Sequence, residues 1–187
     1  MALTQTQLEN VQVDYGIVFA DYGLATQRRL GPTRGGGGFK VDATIRDIEY
    51  DGGNGKSKGM QVLESVTASL SVTVLDTSME TLAIAMPWAT YDGTAKTITA
   101  KSANIGGIQD TAYLDNVTMF AKLMNNEYKK ITLYNAMSES SFELAAKPKG
   151  EAEIGLEIMA HWDAFDDAAD LYKIEDVAAI VDPFVAG

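Results

Sequence analysis

Gly55-Lys56-Ser57 has the residue types that end a phosphate-binding loop. Such a loop also needs a glycine five positions before Gly55, and a helix after it whose N-terminus holds the phosphate. Position 50 is Tyr50 and a strand pattern follows, so these residues read as a hairpin tip. Gly35 to Gly38 do not have the GxGxxG spacing into a helix either, and read as a flexible loop or a close backbone approach. His161 is the one histidine, with Asp163 on the same strand face. A general base needs a nucleophile or a substrate pocket beside it, and the pattern supplies none; a partly exposed strand histidine is expected. Asp163, Asp166, Asp167 and Asp170 could gather around Ca²⁺, yet they lack the Asp-x-Asp-x-Asp-Gly spacing that wraps a loop around the ion. They read as a solvated acidic turn. Glu153 and Glu157 share a face, but four strand residues at ~3.3 Å each separate them by more than either usual glycosidase geometry. With no cysteine, thiolate metal sites and disulfides are excluded. Asn116-Val117-Thr118 is a glycosylation sequon, expected to be silent without a secretory signal. Met79, Met86, Met119, Met124, Met137 and Met159 read as core packing. No catalytic, cofactor-binding or metal residue is assigned, and the chain reads as a non-enzyme.

The 187 residues are about one domain's worth, since a single core serves roughly 100–200 residues. Hydrophobic residues at 46% against 22% charged allow a buried core. No apolar run approaches the ~18 residues of a membrane helix, and MALTQTQLEN lacks the basic-then-apolar start of a leader. A soluble chain is expected. The formal charge is −11, and from Glu151 onward ten carboxylates face Lys173 alone. Nucleic-acid binders hold phosphates with lysine and arginine clusters, and the whole chain has the opposite sign.

The dominant period is two. Residues 15–21 read as a short strand, followed by a glycine-rich connection over 24–38. Phe39, Val41, Ala43 and Ile45 alternate with Lys40, Asp42, Thr44 and Arg46, and the phase slips at Asp47, as at a β-bulge. After the turn 51–59, Val62, Val66, Ala68, Leu70, Val72 and Val74 form one face; Ser65, Thr67, Ser69, Ser71 and Thr73 form the other. Thr77-Ser78-Met79-Glu80 reads as a capping box with Thr77 as N-cap, opening a helix that Pro87 stops. Further strands are expected near 97–100, 117–124, 130–137, 142–145 and 151–162. The last should put Ile154, Leu156, Ile158, Ala160 and Trp162 inward, with Glu153 and Glu157 opposite. The expected fold is mainly β: a β-sandwich or small barrel with one short α-helix and a long β-hairpin loop, over residues 1–187 as a single domain.

Three stretches carry a resemblance: IVFADYG, then LGPTRGGGGFKVDATIRDIEYDG, then KGMQVLESVTASLSVTVLDTSMETLAIAMP. Together with the ending HWDAFDDAADLYKIED, they resemble the tail tube (major tail) proteins of long-tailed bacteriophages. The likeness covers Tyr15–Pro87 and Ala160–Asp176. It implies a subunit forming rings, usually of six, that stack into a hollow tube, with inner sheets joined into a continuous barrel. It implies an acidic turn and a short final strand at the end of the chain. Partners would be further copies of the chain and other tail proteins (tape measure, tail terminator, tail tip). DNA would pass through without specific binding; the place would be the virion tail, assembled in the host cytoplasm. No cofactor and no membrane segment are implied.

Within that resemblance the bore would be lined by Ser65, Thr67, Ser69, Ser71 and Thr73, or secondarily by Glu153 and Glu157. Small hydroxyls and carboxylates bring no cation that could displace the counterions of DNA phosphates. Gly52, Gly53, Asn54, Gly55, Lys56, Ser57 and Lys58 would form an inter-subunit loop, mobile in the free subunit and drawn to the acidic C-terminal stretch of a neighbour. The alternative reading is a monomeric β-sandwich binding module, carbohydrate-binding or adhesin-like. That reading wants a row of exposed aromatics, whereas Tyr15, Tyr50, Tyr91, Tyr113, Tyr128, Tyr134 and Tyr172 are scattered. An acidic β-sandwich hydrolase comes third.

Overall fold

The computed structural model of the chain describes residues 4–13, 16–53, 55–144 and 150–181. In chain order the elements are α1 (Gln5–Glu9), β1 (Ile17–Ala20), β2 (Arg28–Arg29), β3 (Thr33–Asp47), β4 (Gln61–Val74), α2 (Met79–Ala85) and β5 (Thr90–Asp92). They continue as β6 (Thr97–Thr99), β7 (Leu114–Lys122), β8 (Tyr128–Ser138), β9 (Ile154–Met159) and β10 (Tyr172–Val177). The mainly β expectation holds. No helix among the described residues is long and apolar enough to cross a membrane.

The longest alternating segments form the longest hairpin, β3 with β4, all antiparallel. From there one sheet path runs β2-β1-β7-β8-β9-β4-β3, with β10 also on β8, and β5-β6 stand apart as a ribbon. The path has two ends and does not close, so the fold is a sandwich rather than a barrel. It becomes two layers because β8 changes partner along its length. On one edge it pairs with β10 over Tyr128–Leu133 and then with β9 at Met137 and Ser138. Between the two lies Asn135, in the left-handed region at φ 46°, the kind of bend by which a strand turns a sandwich corner.

The layers close on the apolar parity of their strands. Val18, Val117, Met119, Ile131 and Leu133 come from one layer; Ala68, Leu70, Val72, Val74, Ile154, Leu156 and Ile158 come from the other. Phe39 of β3 meets Tyr172 of β10 across the gap, ring centroids 5.5 Å apart. The β1-β7-β8 layer is buried on its second face too. There Phe120 sits edge-on to Phe19 and Tyr22, at 5.9 and 5.0 Å. Asn116 accepts the Tyr22 amide at 2.9 Å and donates to the Tyr22 carbonyl at 3.1 Å, so the sequon's side-chain amide is committed inside the fold.

Several expectations are corrected. The glycine-rich stretch connects only as far as Pro32: Gly35 to Gly38 lie within β3, where Gly37 and Gly38 closely approach Met119 and Ser71, and Gly35 and Gly36, at φ 76° and 79°, form a bulge where the register jumps from Arg34 to Gly37. Only glycine takes up two such residues in a row without strain. No bulge lies at Asp47, where β3 pairs regularly; the nearest register shift is on the facing strand, where Glu64 is the extra residue between Thr44↔Ser65 and Ile45↔Leu63. Helix α2 is capped by Ser78 rather than Thr77, its hydroxyl accepting the Thr81 amide at 3.4 Å. Asp76 decides this by accepting the Ser78 amide and hydroxyl and the Thr81 hydroxyl at 2.8–2.9 Å. Burial pushes the Asp76 carboxyl up, but these three donors outweigh it and hold it below the usual range. A second helix, α1, was not expected, although Thr4 and Gln7 form a capping box in which each caps the other. Residues 142–144 form no strand, and the strand expected over 151–162 covers only Ile154–Met159, leaving Trp162 59% exposed instead of inward.

The final strand is fixed by charge as well as register. Glu175 of β10 takes hydrogen bonds from Lys130 at 2.7 Å and Lys173 at 2.8 Å, which hold its carboxyl at about 2, below the ordinary 4.5. The contribution is full above the unfolded value and drains away as pH falls toward about 2, because only the unfolded chain takes up the proton there. Glu175→Gln should therefore flatten the fall of the urea midpoint between about pH 5 and about pH 3. Identical slopes in parent and variant would show that the lysine pairs are idle.

Candidate assembly surface

Strand register places the expected bore residues together. Antiparallel partners directly opposite share a face. Ser71 faces Gly38 on β3 and Glu157 on β9; Ser69 faces Lys40 and Met159; Thr73 faces Arg34 and Gly155. Thr67 and Ser65 continue the row opposite Asp42 and Thr44. Arg34 reaches Glu151 at 2.9 Å and also binds Glu153, which brings Glu153 to the same end of this face. The two sets of residues, read as separate choices, are thus one surface: the outer face of β3-β4-β9. Ser65, Thr67, Ser71 and Glu157 are exposed, while Ser69, Thr73 and Glu153 are half-buried.

The electrostatics of this face are mild. Lys40 pairs with Asp42, and Arg34 with its two glutamates. Glu151, Glu153, Glu157 and Asp42 stand against Arg34 and Lys40, an excess of two negative charges, and Arg46, next on this side of β3, is paired with Glu64, so each cation is held by a neighbour. The row of hydroxyls runs between them.

Beyond this face the hairpin continues alone. Strand β9 covers β4 only over Ser69–Val74, so Ser65 and Thr67 already stand at the root of an arm that, among the described residues, has β3 and β4 as its only strands. Val66 still packs on the core, but past it side chains on both faces are exposed, including Ile45 and Leu63 at 58% and 59%. At its tip Lys56 lies 3.4 Å from Asp47, whose carboxyl also accepts Gln61 at 2.8 Å; the Gln61 and Lys56 contacts hold Asp47 below the usual carboxylate range. Tyr50 and Ser57 hydroxyls meet at 3.1 Å. Lys56 therefore has a partner in its own chain, while Lys58 is exposed. Gly52, Gly53, Gly55 and Ser57 complete the described tip; Asn54 lies outside the described residues.

The other sequence candidates do not assemble into a reactive site. His161 uses Glu139 rather than Asp163: its Nε2 lies 3.0 Å from Glu139 Oε1 and its Nδ1 2.9 Å from the Asn135 carbonyl. Both nitrogens are occupied by groups of the chain itself. Asp163 and Asp166 accept the backbone amides of Phe165 and Ala168, which spends an oxygen of each on its own turn. Sequence reasoning missed the groove between α2 and the segment 103–114, about 530 Å³, lined by Arg28, Trp88, Ile108 and Ala136. Its walls come from four separate stretches of chain, and no local pattern marks it.

No family model matches the chain, and neither does any curated protein. Solved structures do. The SPP1 tail tube is similar over 78% of this chain and 71% of its own, at 18% identity and a TM-score of 0.43. The tail of an empty gene transfer agent particle is similar over 87% and 96%, at 14% identity and a TM-score of 0.43. A contractile injection system's sheath–tube complex is similar over 94% and 100%, at 13% identity and a TM-score of 0.44. At this identity and overlap the assignment of faces and edges rests on the chain's own residues.

Proposed function

We propose that this chain is a structural virion subunit that self-assembles into stacked rings of six, building the tail tube through which phage DNA reaches the host. The outer face of β3-β4-β9 lines the bore. One observation carries the reading: Ser65, Thr67, Ser69, Ser71, Thr73, Glu153 and Glu157 share that face, and its cations Arg34, Lys40 and Arg46 are already held by carboxylates. DNA adheres by displacing its counterions with free lysine and arginine, so this surface lets a duplex slide. The subunit is not an enzyme; it is assembled in the host cytoplasm and meets tape measure, terminator and tip proteins at the ends of the tube. Negative-stain microscopy of concentrated protein tests the class directly. Rings or tubes with a stained bore are expected. A monodisperse monomer at every concentration and salt would sink the proposal in favour of a lone binding module.

The hairpin tip makes the contact between rings. Its exposed Lys58 and the apolar Ile45 and Leu63 of the arm meet a neighbour's acidic C-terminal stretch. A single exposed ion pair contributes only about 0–1 kcal/mol, but contacts repeated around a ring act as intramolecular ones once the first is made. Replacing residues 52–58 by a short Gly-Asn turn should lower tube yield in sedimentation and weaken its salt dependence. Unchanged yield and salt dependence would show the tip to be idle.

A further inference from the structure

The long hairpin leaves one flank of its layer open. Strand β3 is fifteen residues long and ends the sheet path, so among the described residues no strand pairs with its second edge. A long open edge is a template for another chain, and folds usually shorten, bulge or cover it. Here the only bulge in β3 lies at Gly35–Gly36, and the rest of the edge, Gly37 to Asp47, is continuous strand without proline.

The opposite flank of the same layer holds the converse feature. After β8 leaves β7, the chain runs on along β9: the Glu139 amide donates to the Glu157 carbonyl at 3.0 Å, and the Ser140 hydroxyl to the Gly155 carbonyl at 3.4 Å. Residues 141–144, Ser-Phe-Glu-Leu, keep a strand's alternation, with Phe142 packed on the core and Ser141, Glu143 and Leu144 exposed. They are not in a strand. The sequence has the β pattern and the fold withholds the partner.

We propose that residues 139–144 of one copy pair with the open edge of β3 in the next, becoming a strand only in the assembly. The two edges differ and lie on opposite flanks of one layer, so the contact is head-to-tail and propagates around a ring instead of closing a twofold dimer. This rests on the tube reading, and names the edges that join its subunits.

The chain has no cysteine, so introduced ones report cleanly. Thr44→Cys, Asp42→Cys and Glu143→Cys all fall on exposed positions, and far-UV circular dichroism of each variant checks that it folds. Under mild oxidation or a short bifunctional maleimide, mixing Glu143→Cys with Thr44→Cys or Asp42→Cys should give a covalent heterodimer, and a chain carrying both changes a ladder of oligomers. Each single variant alone should stay monomeric on a denaturing gel. Self-linking of Thr44→Cys or Asp42→Cys would overturn the proposal in favour of a β3-to-β3 dimer. Rings or tubes visible by microscopy without the mixed product would overturn the edge assignment and leave the tube standing. A mixed product in open chains, with no ring or tube, would keep the edge pairing and remove the tube.

Discussion

Tubes assembled from a Thr67→Lys, Ser69→Lys, Ser71→Lys chain should hold duplex DNA that parent tubes release. The three positions are consecutive on the outward side of β4, in line with Asp42, Lys40 and Gly38 across the hairpin. Thr67 and Ser71 are exposed and Ser69 is half-buried, so the substitutions should cost the fold little, on the order of 0.5 kcal/mol each. Their effect on a passing duplex is another matter. Each phosphate neutralised releases counterions and adds about 0.9 to the slope of log affinity against log salt. A surface making about 6–10 such contacts loses roughly 10³–10⁵ in affinity between about 50 and 200 mM salt. Retention of a labelled short duplex on sedimented tubes, measured across that range, should rise from background in the parent to a strongly salt-dependent plateau in the variant. Added nuclease locates the site: protected DNA lies in the bore. DNA that binds and is fully digested would put this face on the outside.

Gly31→Ala should be the most damaging single methyl group that can be added near α2. Gly31 sits between β2 and β3 at φ 30°, where an added Cβ would lie 2.3 Å from the Asp76 Cβ and 3.4 Å from its Cα. Those atoms belong to the stem of the side chain that organises the helix start, so they cannot swing away as a flexible tip would. Overpacking of that kind costs about 1–3 kcal/mol and the strained backbone a further ~1–3. Folds of this size are stable by only ~5–15 kcal/mol, so the urea midpoint should drop sharply with an unchanged slope. Gly35→Ala is the matched control, because at φ 76° it is strained but meets nothing within 4 Å. Equal losses for the two variants would mean that Asp76 yields freely.

Much of the hairpin was legible, since Ala68 to Val74 alternate without a break and the pleat has the same period. The polar face followed from the same parity. That Glu157 and Glu153 lie on it was hidden, because only pairing between distant strands, Ser71 with Glu157, brings them there. The glycines of β3 misled for a physical reason: a bulge and a loop both ask for positive φ, and composition cannot tell them apart. Thr77 and Ser78 are equally good caps in isolation; Asp76 chooses between them. Trp162 belongs to the right parity, but the strand ends at Met159, and a chain that has left its sheet no longer alternates. The short final strand that the resemblance implies is β10; composition shows only an acidic tail there, because the backbone pairing with β8 and the pairs of Lys129 and Lys130 with Asp176 and Glu175 come from a distant part of the chain.

Strand β8 bonds to β7 along one edge and to β10 and then β9 along the other, turning at Asn135. The two layers are therefore one ribbon folded over, with covalent chain at the fold. In the proposed wall, a load pressing outward on the β3-β4-β9 layer reaches the other layer through the peptide backbone as well as through side-chain contacts. Such a wall resists shear between its skins in the way a hem resists fraying, and its weakest direction lies between neighbouring subunits rather than within any one of them.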